Sequence, residues 1–129
     1  MKRQAFPERD SQVPGLPPVQ DYFDAMLYGG KCLEFYSFEV DNTVAVSLVI
    51  PTGAKMCVLV AEAGGSPANI NRIMRFTEDP ATEPTATDGM PIGDNGIVEI
   101  KGTSNMEAFS IISTEALTHV CQVQFYGEG

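Results

Sequence analysis

From residue 32 to residue 126, apolar and polar side chains alternate with a period near two. That is the repeat of strands with one face turned to a core. Thr43–Ile50 is the clearest case, with Val44, Val46, Leu48 and Ile50 on one face and Thr43, Ala45, Ser47 and Val49 on the other. Lys55–Ala61 alternates too, with Met56, Val58 and Val60 on one side. Pro51-Thr-Gly-Ala54 between these runs is a turn signal, so they are expected to pair as a hairpin. Cys32–Val40 is rich in aromatic and β-branched residues. Asn69–Phe76 puts Ile70, Arg72, Met74 and Phe76 on one parity and reads as a half-exposed strand. Gly96–Ile100, Ala108–Ser113 and Thr118–Tyr126 complete the set, with Phe109, Ile111, Val123 and Phe125 facing the core. The expected fold is all-β: an antiparallel β-sandwich or jelly roll, with little helix.

Two stretches break the alternation. Residues 1–28 carry Pro7, Pro14, Pro17 and Pro18, which exclude regular elements and favour an extended path. Asp21–Tyr28 has an N-cap residue and a following Gly29, enough for two helical turns. The chain therefore divides into an N-terminal arm, 1–28, and a β-domain, 29–129. Phe6, Val13, Leu16 and Val19 make the arm too apolar for a purely solvated leader, and they suit contact with a partner. The second stretch, Thr77–Asn95, holds three prolines, two glycines and five acids. It reads as a long loop, and long loops tend to be functional.

A chain of 129 residues suits one domain plus a tail, and it can bury a core without disulfide or metal staples. The net charge of −9 argues against nucleic acid as a partner, because phosphate affinity comes from clustered Lys and Arg. Only Lys2, Arg3 and Arg9 gather, in the arm. No apolar run approaches membrane-spanning length, and the N-terminus lacks a signal-peptide core, so no membrane is expected. Cys32, Cys57 and Cys121 are an odd number without metal-site spacing. They are expected to be reduced and buried, as free thiols in a reducing compartment are.

Catalytic chemistry finds little support. His119 is the one histidine, and Cys121 lies two residues away on the same strand face. A nucleophilic pair would need a cleft, whereas Cys121 shares its face with Val123 and Phe125. Gly64-Gly65-Ser66 lacks the Lys and the following helix of a phosphate loop. The acids of the long loop lack calcium-loop spacing. No catalytic residue, cofactor or metal is expected, and the chain reads as a structural or binding module rather than an enzyme.

One segment carries a resemblance. Arg75-Phe-Thr-Glu-Asp-Pro-Ala-Thr-Glu-Pro-Thr-Ala-Thr-Asp-Gly-Met-Pro-Ile92 resembles a stretch that follows a β-hairpin in small tailed-bacteriophage proteins. The ending is similar to theirs as well, with Ile100 to Ile112 followed by a last strand, Val120–Tyr126. The likeness covers Thr43 to Tyr126 and leaves out Met1 to Lys31. It implies a virion component and supplies no catalytic residues. With the small size, β class and arm, the expectation is a capsid decoration (cement) protein that binds the major capsid protein on the outer head surface, as a homotrimer. It would be made in the host cytoplasm. Lys2, Arg3, Phe6, Arg9, Val13, Leu16 and Val19 are its expected partner-binding residues. The alternatives are a head-fibre, neck or tail component, a soluble receptor- or carbohydrate-binding domain and, last, a hydrolase.

Overall fold

The computed structural model describes residues 30–127. They form β1 (Lys31–Val40), β2 (Val46–Ser47), β3 (Ala54–Glu62), β4 (Met74–Thr77), β5 (Met90–Ile92), β6 (Ile97–Lys101), a six-residue helix α1 (Thr103–Ala108), β7 (Ser110–Ser113) and β8 (His119–Gly127). The fold is all-β in two antiparallel sheets. Sheet I has the order β1-β8-β3-β6, and sheet II has the order β2-β7-β4-β5.

The pairing follows one rule. β1 pairs with β8, β2 with β7, β3 with β6 and β4 with β5. The described chain is thus a single long antiparallel hairpin with its tip at β4–β5. It is folded over so that β8 also meets β3 and β7 also meets β4.

One hydrophobic cluster draws on both sheets. Cys57, Leu59, Val123 and Phe125 come from sheet I, and Met74, Ile92 and Ile111 from sheet II. Tyr36 stacks on Phe125 with ring centroids 5.7 Å apart, and Phe76 stacks on Phe109 at 5.5 Å. Such contacts add to the area term that drives burial. Phe109, Ile111, Val123 and Phe125 are all buried, as the alternation predicts.

The expected hairpin of Thr43–Ile50 with Lys55–Ala61 does not form. Only Val46–Ser47 is strand, and it pairs with β7 in sheet II, whereas β3 lies in sheet I. The turn itself is present: Ala54 N donates to Pro51 O at 3.2 Å, and Gly53 takes φ +89°. It is a corner between sheets. A hairpin would need the backbone of Val49 for its ladder. Instead the Tyr36 hydroxyl takes both groups, donating to Val49 O at 3.1 Å and accepting from Val49 N at 2.9 Å.

Three other readings change. β4 begins only at Met74, and Ile73 and Met74 are both fully buried, which breaks the expected parity. The Thr77–Asn95 stretch contains β5, so it is a hairpin with a long tip rather than a loop throughout. Helix α1 gave no signal, because six residues with only Met106 buried show no helical repeat.

Cys32 is the fourth. It is exposed, against the expectation that all three thiols are buried; Cys57 and Cys121 are buried. Leu33 is an extra residue, with Cys32 opposite Tyr126 and Glu34 opposite Phe125. The bulge turns Cys32 onto the opposite face from Tyr36 and Phe38.

Candidate interaction surface

The register of sheet I defines the face it turns away from the core, in four rows. Cys32, Tyr126, Met56 and Lys101 form one; Phe35, Gln124, Val58 and Glu99 the next. Ser37, Gln122, Val60 and Ile97 form the third, and Glu39, Val120 and Glu62 the last. An exposed sheet face of ordinary composition would be polar at alternate positions. Here Val58, Val60, Val120 and Tyr126 are half-buried among their neighbours, Phe35 is 57% exposed and Ile97 is 68% exposed. Gln122 and Gln124 of β8 separate Phe35 on β1 from Val58, Val60 and Ile97 on β3 and β6, so the face is mixed, with exposed apolar side chains toward both edges of the sheet.

The charges on this face are Glu39, Glu62 and Glu99 against Lys101, with Lys101 Nζ 3.9 Å from Glu99. Gln122 donates to Glu62 at 3.2 Å, and Gln124 donates to the Tyr126 hydroxyl at 2.6 Å, so the amides are held rather than free. The surface offers apolar side chains on either side of two held glutamines, with more acids than bases among its charges. Its complement is an apolar patch rimmed by Lys or Arg.

The outer face of sheet II is different in kind. Its rows are Ser47, Ser110 and Thr77, then Ile112, Arg75 and Pro91. The β4–β5 tip folds beside it. Arg75 Nη1 donates to Gly89 O at 2.7 Å, and Pro84 is buried. Gly89 has φ +132°, and a Cβ there would lie 3.1–3.2 Å from Arg75 Cβ, Phe76 O and Pro84 Cβ. Both the backbone angle and the space require glycine. Asp79, Thr85 and Asp88 close the tip with turns of their own, through Ala81 N to Asp79 Oδ1 and Asp88 N to Thr85 Oγ1. The Arg75–Ile92 segment is thus tied to itself by these hydrogen bonds and by the packing of Pro84.

A third feature lies where β3 leaves sheet I for β4. Three titratable side chains accept backbone N–H groups from this crossover. Asp94 Oδ1 takes Ala63 N at 2.9 Å, His119 Nδ1 takes Gly64 N at 2.9 Å and Glu115 Oε2 takes Ala68 N at 3.0 Å. His119 is fully buried, and its Nε2 has no hydrogen-bond partner.

The arm residues Lys2, Arg3, Phe6, Arg9, Val13, Leu16 and Val19, and the helix expected over Asp21–Tyr28, lie outside the described residues. His119 and Cys121 do sit on the same face of β8, but Cys121 Sγ points to Met74 Sδ at 3.9 Å and His119 Nδ1 is occupied by Gly64. Burial pushes the Cys57 and Cys121 thiols up to about 12, so neither supplies a thiolate near neutral pH. Among the described residues no three His, Cys, Asp or Glu side chains gather as a metal site, and no helix is long and apolar enough to cross a membrane.

The sheet I face escaped the sequence reading. Alternation marks two faces of a strand but does not tell which residues of four strands share one surface; that needs the register. No family model, curated protein or solved structure matches the chain.

Proposed function

We propose that this chain is a structural virion protein of a tailed bacteriophage: a capsid decoration protein, working as a homotrimer on the outer head surface, without a catalytic role. The observation that carries the reading is the outer face of sheet I, which exposes Phe35 and Ile97 among acids and held glutamines. A surface of this chemistry suits a protein partner with a basic rim, and we assign that partner as the major capsid protein. The arm, through Lys2, Arg3, Arg9 and its apolar residues, adds a second contact to a neighbouring copy or to the shell. Repeated weak contacts in a trimer raise avidity without any one being strong.

Two further observations support the reading. The segment Arg75–Ile92 resembles phage virion proteins, and it is tied to itself through Arg75, Pro84 and Gly89. The two antiparallel sheets, with orders β1-β8-β3-β6 and β2-β7-β4-β5, are compatible with a jelly roll, in which a long hairpin wraps into two sheets. That architecture is common in viral capsid domains, and also in lectins, so it supports but does not by itself choose the function.

Binding to particles stripped of the protein tests the proposal. The native chain is expected to bind at many sites over the head, whereas a neck or fibre component would occupy few. Phe35→Glu and Ile97→Glu place charge on the exposed apolar side chains of the two edge strands of sheet I and are expected to abolish binding. Binding by both variants as tight as that of the native chain would rule out the sheet I face as the interface.

A further inference from the structure

We propose that His119, with Asp94 and Glu115, forms an acid-sensitive clamp on the crossover from β3 to β4. Protonation of the imidazole releases Gly64 and loosens the corner where sheet I hands the chain to sheet II. The inference is independent of the virion assignment.

The geometry carries it. The crossover runs Ala63-Gly-Gly-Ser-Pro-Ala68, a sequence with almost no side chains to anchor it. Its described anchors are the three hydrogen bonds to Asp94, His119 and Glu115, which come from the β5–β6 turn, from β8 and from the β7–β8 turn. The segment is pulled close at this point: a Cβ on Gly64 would lie 2.0 Å from Thr118 O. Nδ1 accepts a hydrogen bond from the Gly64 N–H, so the ring is neutral, with its own proton on Nε2. An imidazolium has no acceptor. Protonation would turn Nδ1 into a donor aimed at the Gly64 N–H, inside a site with no solvent contact.

The surroundings set the sign. Burial pulls His119 below its ordinary value of 6.5, while the Glu115 and Asp94 carboxylates pull the other way. Val40 faces it from β1, and Glu39 and Glu62 lie on the opposite face of the sheet. A histidine with a depressed folded-state pKa binds its proton more readily once the site opens. The clamp is therefore complete above pH 6.5 and is lost as pH falls through the folded-state value. The two carboxylates oppose the pull of burial but do not reverse it.

Amide exchange at Ala63, Gly64 and Ala68, corrected for intrinsic rates, reads the clamp directly, with the imidazole titration followed by NMR on the same sample. Between the open-state and folded-state pKa values, protection at Gly64 should fall by about tenfold per pH unit. His119→Asn keeps an acceptor near the Nδ1 position and removes the titration, so its Gly64 protection should stay flat over the same range. Gly64 protection that persists in native protein after the ring has titrated would overturn the proposal. So would an equal loss in His119→Asn, which would place the effect on the carboxylates. If that variant does not fold, coincidence of the two titrations in native protein decides.

Discussion

The two outer faces of this molecule are built from the same kind of strand and are finished differently. Sheet II turns out Ser47, Ser110, Thr77 and Arg75 beside Ile112 and Pro91, and the β4–β5 tip is tied to it through Arg75 and Gly89, with Pro84 buried. Sheet I turns out Phe35, Val58, Val60, Ile97 and Tyr126. One face spends local sequence on its own rigidity, and the other leaves apolar surface for something else. Residues that maintain the fold and residues that recognise a partner should therefore separate cleanly between the sheets, and substitutions can break or sharpen that division.

The largest effect is expected at Gly89. Gly89→Val demands a left-handed backbone from a β-branched residue and pushes a Cβ into Arg75, Phe76 and Pro84. Thermal or denaturant unfolding should show a loss of about 2–4 kcal/mol. Arg75→Met removes the bond to the Gly89 carbonyl while keeping an apolar stem, and about 1–2 kcal/mol should be lost in the same measurement. Phe35→Glu and Ile97→Glu, on the other sheet, should change stability by less than about 0.5 kcal/mol while eliminating particle binding. Destabilisation of a few kcal/mol by either would mean that the sheet I face belongs to the fold. The smallest effect on stability is expected from Cys32, exposed in the same row as Tyr126. Maleimide should label Cys32 in native protein while Cys57 and Cys121 wait for denaturant, and the labelled chain should unfold normally yet bind particles poorly.

Much of the fold was legible because alternation is a local property. The runs ending in β1, β3 and β8 were found within a residue or two, and so were the core positions Phe109, Ile111, Val123 and Phe125. What failed was non-local. The Thr43–Ile50 run has ideal hairpin spacing with β3, yet a tyrosine hydroxyl from a different strand captures the backbone of Val49. Nothing in the turn sequence announces that competitor. The Cys32 error has a related origin, since one bulged residue reverses the parity of everything before it, and Leu33 looks like any other strand residue. The sheet I face needed the pairing of all four strands before its rows existed at all. The Arg75–Ile92 segment was legible as special, because proline and glycine restrict the backbone by themselves, but its burial against Arg75 was not.

The pairing of β1 with β8 has a consequence for synthesis. Lys31 is matched with Gly127, and β8 sits between β1 and β3 in the middle of sheet I. On the ribosome, β8 follows every other described strand of its sheet, and both β1 and β3 require it. Until it emerges, sheet I has a gap with a raw edge on each side, and such edges invite pairing with another chain. Sheet I cannot close before β8 is made, and contacts this distant in sequence form slowly. A nascent chain stalled before β8 would resemble a half-closed clasp, more ready to join its neighbour on the next ribosome than to close on itself.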